Sequence, residues 1–247
     1  MSIDVVDLRG FYVQRLGAVA RHFVGRGIRQ RWTDTRGQRV LGIGYATPYL
    51  GLFREEADRT LAFMPAAQGV VKWPTAKPAL SALVDDLDLP LSDAAVDRVL
   101  LVHALENSND PNALLREVWR VLASGGQLLA VVPNRRGLWA RMDTTPFGHG
   151  RPYSRSQITQ LLRQTWFTPI GWGEALFVPP LAAGWFLRSA AAWERVGAAI
   201  SMPFAGVHIV EATKQVYRAI PAHRERTRLI PALPPVLVPS SFQRDDG

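Results

Sequence analysis

Apolar and polar positions along the chain alternate between two periods. From residue 3 to 31 the apolar side chains Val5, Leu8, Phe11, Tyr12, Leu16, Val19 and Phe23 recur at steps of three and four, which predicts helix. Val40 to Gly44 is a short apolar run that enters glycine and reads as a buried strand followed by a turn. Pro48 to Ala57 is expected to open a helix, with Pro48 in its first turn. Further strands are expected at Thr60–Met64, Ser81–Val84, Asp97–Val102, Gln127–Val132, Ile170–Val178 and Val207–Val216. Between them, Asp110-Pro111 starts a helix that Gly125-Gly126 ends, Ser154 caps a helix through Gln164, and Leu181–Ile200 forms another. Strands that alternate with helices imply a doubly wound α/β domain with a mostly parallel seven-stranded sheet and helices on both faces.

On this reading the chain divides into an N-terminal helical cap (1–36), the α/β domain (37–220) and a tail (221–247) rich in Pro and Arg without periodicity. A chain of 247 residues, 47% hydrophobic, can bury one large core. With no cysteine it has neither a disulfide framework nor a thiolate metal site, and its five histidines lack ligand spacing, so no metal is expected. The start, Met-Ser-Ile-Asp-Val-Val-Asp, carries acids where a secretion signal carries bases, and charges interrupt the apolar run 181–200. A cytoplasmic protein without a transmembrane segment is the expectation. The formal charge of +8 invites a nucleic-acid partner, but only three of the 29 basic residues are lysines and no RNA-binding motif is attached.

The stretch 83–134 carries the most specific pattern. Leu89-Pro-Leu91, Val96-Asp97, His103-Ala-Leu-Glu106, Asp110-Pro111, Glu117-x-x-Arg120-Val-Leu and Gly125-Gly126 follow one another at fixed spacings. This order resembles the central block of the UbiE-like (type 11) class I methyltransferases, and with its flanks the likeness covers roughly residues 38–180. The resemblance implies a Rossmann-like fold, S-adenosyl-L-methionine as cofactor, and methyl transfer by direct displacement to a small-molecule acceptor. Carried over residue by residue, it places cofactor contacts at Gly42, Gly44, Tyr45, Thr47, Met64, Asp85, Asp86 and His103, with Tyr12 reaching over from the N-terminal helix. Asp85 is the expected adenine contact.

Three departures qualify the resemblance. Where the family reads Asp-x-Gly-x-Gly-x-Gly, this chain has Gly42-Ile-Gly44-Tyr-Ala46-Thr-Pro48, so the leading acid is lost and only Gly44 keeps a glycine position. The acid that ends the second strand and holds the ribose is replaced at Phe63-Met64-Pro65. A methyltransferase-like binding or regulatory protein with weakened or lost catalysis is therefore one alternative, and an RNA methyltransferase another.

His103 and His149 are the candidate proton acceptors, the second in the glycine-flexible loop Phe147–Arg151. Phe11, Tyr12, Trp139, Phe147 and Tyr153 are either core or the lid of an acceptor pocket; such a pocket, aromatic and short of acids, would suit a flat or apolar molecule. A helix bearing Trp185, Phe186 and Trp193 beside Arg188 and Arg195 reads as buried or as a dimer face. A homodimer or protein partner is left open.

Overall fold

A computed structural model describes residues 3–180, 184–199 and 204–216. The tail from 221 and the side chains of Trp185, Phe186 and Arg188 lie outside the described residues. Seven strands form a single sheet: β1 (Arg39–Gly44), β2 (Arg59–Pro65), β3 (Ser81–Val84), β4 (Val96–Val102), β5 (Leu122–Pro133), β6 (Phe167–Ala175) and β7 (Val207–Lys214). Their order is β3-β2-β1-β4-β5-β7-β6. The pairs from β3 to β5 are parallel, and β7 runs antiparallel to both β5 and β6.

Strand side chains alternate between two cores, as the period of two requires. Val40, Met64, Leu100, Val102, Leu129, Val131 and Ile209 face one helical layer. Leu41, Ile43, Phe63, Val99, Leu101, Leu128 and Ala130 face the other. The first layer holds α1 (Val5–Val13), α2 (Arg15–Arg31), the single turn α3 (Thr47–Leu50) and α6 (Gly184–Ala199). The second holds α4 (Pro111–Val121) and α5 (Arg155–Gln164). Asp110 caps α4 through the amides of Asn112 and Ala113, and Ser154 closes a reciprocal capping box with Gln157 on α5.

Four elements differ from the pattern-based reading. The helix over 3–31 is two helices, because Gln14 is extended (φ −76°, ψ 163°) and its amide returns to Phe11 O. The helix expected over 48–57 lasts one turn and continues as turns, with Arg29 of α2 pairing with Glu56 there. The α4 helix stops at Val121, before the glycines: Leu122 already pairs with Val96, and Gly125 at φ +74° lies within β5. The sixth strand sits three residues earlier than expected, over 167–175, set by its register on β7.

Candidate active site

The carboxyl ends of β1 and β4 meet where the strand order reverses, the place where open α/β sheets bind ligands. Gly44 ends β1 with φ +80°. A Cβ there would stand 2.3 Å from Val102 O and 2.9 Å from Ala104 Cβ, so only glycine permits this approach. The next amide, Tyr45 N, donates to Val102 O at 2.8 Å and locks the two strand ends together. Gly42 has a different use: a Cβ would meet Leu50 Cδ1 at 2.6 Å and Ala46 Cβ at 2.7 Å, so the space at this position belongs to the apolar core.

His103 follows β4 with φ +52°, a left-handed conformation that costs a non-glycine residue energy. Its surroundings hold it there. The Gln68 amide and Asn107 Nδ2 both donate to His103 O. Nε2 lies 2.9 Å from Tyr12 Oη, and Nδ1 lies 3.2 Å from Glu106 Oε1. His103 and Glu106 are both buried. A carboxylate against Nδ1 favours the proton on that nitrogen, which leaves Nε2 as the acceptor for the Tyr12 hydroxyl. Burial, with the nearby Tyr49, holds the Tyr12 phenol well above its ordinary pKa, so it stays a donor.

Tyr12 closes this end of the crevice. Its hydroxyl also meets Tyr49 Oη at 3.1 Å, and its ring stacks on Tyr45 and stands edge-on to Phe11. Phe147 packs against His103 with ring centroids 4.9 Å apart. The N-terminus of α1 is fastened to the opposite wall by Val5 N donating to Gln68 O at 2.7 Å. Beyond this aromatic plug a cleft of about 70 Å³ remains, lined by Pro65, Gln68, Asp86, Ala104, Asn107 and Ser108 among others. Asn107 Oδ1 is buried there without a hydrogen-bond partner, and the Ser108 hydroxyl faces the Asp86 carboxylate.

The residues expected at the cofactor divide into three groups. Gly44, Tyr45, His103 and Tyr12 converge on the crevice. Asp86 enters the cleft, where burial raises its pKa. Asp85, the residue expected at adenine, is exposed and accepts the Leu87 amide in its own turn, because the tight turn 85–88 points it outward. Thr47 is buried. Met64 is buried too, with Sδ facing Val71 N at 3.4 Å, and offers no oxygen to a ribose.

His149 stands apart from His103; its Nε2 contacts Asp143 O at 2.9 Å. Trp139 and Phe147 are buried core, with Trp139 Nε1 donating to Val178 O, so Trp139 is no part of a lid. Tyr153 Oη donates to Leu105 O. The groove between α1 and residues 143–149 carries Asp4, Asp7 and Asp143, so this wall is not short of acids. Glu106 and Gln68 were not chosen from sequence as site residues. Glu106 lay in the quoted motif, whereas Gln68 had no signal at all.

Comparison with known proteins agrees with this geometry. Residues 24–130 match a family model described as a methyltransferase domain. Over 82 residues the chain is 37% identical to a "Probable S-adenosylmethionine-dependent methyltransferase" of Mycolicibacterium smegmatis, a match covering 32% of this chain and 32% of that protein. The match thus spans about a third of the length of that relative. Among solved structures, one of a "possible histamine N-methyltransferase" from Thermotoga maritima superposes with a TM-score of 0.60 at 16% identity, covering 85% of this chain and 95% of the other. A [4+2]-cyclase superposes with a TM-score of 0.55 at 20% identity, covering 78% and 80%. At such identities the superpositions establish the Rossmann-like fold.

Proposed function

We propose that this chain, whose residues 24–130 belong to the methyltransferase domain family, is an S-adenosylmethionine-dependent methyltransferase acting on a small-molecule acceptor. The observation that carries the reading is the meeting of Gly44 and His103 at the switch point, beside a cleft that Asp86 and the unpaired Asn107 Oδ1 enter. In this reading the adenosyl end of the cofactor would lie at this cleft once it opens. Asp86 would accept from an adenine amino group, and the Asn107 side-chain oxygen would find the donor it lacks. The methionyl end would lie toward Gly44 and His103, where Tyr12 now stands. A cleft of about 70 Å³ is far below the roughly 300–1,000 Å³ of ordinary ligand pockets, so α1 must withdraw Tyr12 to admit the whole molecule.

When bound, the cofactor supplies an electrophilic methyl group on a sulfonium. This chain's residues bring the acceptor into line, exclude water and hold a proton. His103 Nε2 is the base: when Tyr12 moves aside, the nitrogen it occupied can take a proton from an acceptor hydroxyl or amine. Glu106 keeps that nitrogen free by holding the proton on Nδ1. Phe11 and Phe147 shield the pair from solvent. His149, in the groove on the outer side of α1, is the second proton acceptor proposed.

A second reading, a methyltransferase-like protein that binds without catalysis, draws support from Gly42 and Met64, which replace two expected carboxylates with core packing. Titration calorimetry with S-adenosylmethionine, followed by turnover of labelled cofactor against small phenolic, amine and carboxylate acceptors and total RNA, separates the readings. Binding with label entering a small acceptor supports the proposal. Binding without transfer supports the second reading, and label entering only RNA overturns the acceptor class.

A further inference from the structure

Two grooves border the N-terminal helices, and their chemistry is opposite. The first lies on the outer side of α1, against residues 143–149, and is lined by Asp4, Asp7, Asp143 and Val6. Its only base is His149. Asp4 is committed to capping α1 through Val6 N, which leaves Asp7 and Asp143, both exposed. Val6, 69% exposed, lies in this groove, and Val13, seven residues on and 77% exposed, continues the stripe with the exposed Arg9 between them.

The second groove runs along α2 beside α3 and is lined by Arg21, His22, Arg26, Arg29, Pro48 and Leu52, with no carboxylate in its walls. Glu56 answers Arg29. Arg21 and Arg26 are exposed and have no ion pair among the described residues. Ala18 and Gly25 keep the floor shallow enough for a helix to approach, and Leu52, 44% exposed, offers it an apolar contact.

We propose that the chain forms a symmetric homodimer in which the acidic, valine-striped face of α1 from one copy docks in the basic α2–α3 groove of the other. The two faces are opposite in sign, and each offers apolar contact, Val6 on one and Leu52 on the other. In the proposed dimer a two-fold axis makes the contact twice. The occupant is a second copy rather than a polynucleotide because the groove has an aliphatic floor and no exposed aromatic ring besides the His22 imidazole on which bases could stack. The inference goes beyond the methyltransferase reading and stands without it. It would also place the helix that carries Tyr12 in the interface, so that the partner holds α1 over the crevice.

The test is a charge swap on the full chain, followed by light scattering on a sizing column across a concentration series at low salt. The wild type is expected to run at twice the chain mass. Arg21→Glu/Arg26→Glu and Asp7→Arg/Asp143→Arg are each expected to run as monomers, since each homodimer then pairs like charges at both contacts. An equimolar mixture of the two variants is expected to regain the dimer mass, because both contacts of the mixed dimer are again attractive. That rescue also shows that both variants are folded. A wild type that stays monomeric, variants that stay dimeric, or a mixture that stays monomeric each overturns the proposal. So does a monomeric wild type that binds a labelled oligouridylate and loses it in Arg21→Glu/Arg26→Glu, which would assign the groove to a polyanion.

Discussion

At the scale of single residues, the site depends on two backbone positions and one buried pair. Gly44→Ala puts a methyl 2.3 Å from Val102 O in a left-handed conformation, and should cost about 1–3 kcal/mol or more; a thermal melt measures it. A melt within a degree of wild type would show that the strand ends relax freely. His103→Ala should lower turnover by roughly 10²–10⁴-fold, the usual contribution of a proton acceptor, while cofactor affinity changes much less. Glu106→Gln keeps the size of the group but removes the carboxylate that fixes the Nδ1 proton. It should act on turnover and on the pH-rate profile more than on KM for the cofactor. Gly44 was legible because a strand running into glycine and the later motif agree. The choice between Asp85 and Asp86 was not legible, because a turn of four residues decides which carboxylate looks inward, and spacing alone does not encode that rotation.

At the scale of elements, the N-terminal pair α1–α2 governs access. Their common apolar period was visible in the sequence, but the break at Gln14 was not, since the three- and four-residue steps continue through it. Its trace is Gly17, where a Cβ would fall 2.0 Å from Phe11 O, so the second helix can fold back against the first only with glycine there. Tyr12→Phe removes the hydroxyl contacts to His103 and Tyr49, each worth about 1 kcal/mol. Cofactor association, followed by tryptophan fluorescence in stopped flow, should speed up several-fold; an unchanged rate would mean that α1 does not gate entry.

The α2–α3 junction has its own signature. The Arg29 hydrogen bond, with that of Thr35, lowers the Glu56 pKa to about 2 from its ordinary value near 4.5. A lowered pKa stabilises the fold above the unfolded value, and the contribution is lost as pH falls through the folded value. The melting temperature should therefore fall more steeply for wild type than for Glu56→Gln between about pH 5 and pH 2. Parallel curves would show that this largely solvated pair contributes nothing measurable.

At the scale of the whole molecule, alternating strands and helices gave the class of fold and most of the strand positions. The pattern did not reveal that β7 inserts antiparallel between β5 and β6, because a strand's period is the same in either direction. The motif block 83–134 located the crevice, since its fixed spacings span β4, α4 and β5, the elements that frame it. The conversion of the crevice into a closed, aromatic-filled space was not legible, because Tyr12, the pair Tyr45 and Tyr49, and Phe147 meet there from three separate segments.

The central claim, that this crevice is a cofactor site shut by its own N-terminal helix, is tested most directly by calorimetric titration of S-adenosylmethionine into the wild type and Asp86→Asn. The account predicts one site per chain, with affinity reduced about tenfold or more in the variant, the loss of one charge-assisted hydrogen bond. No binding by a folded wild type, or equal affinity in the two proteins, would contradict it.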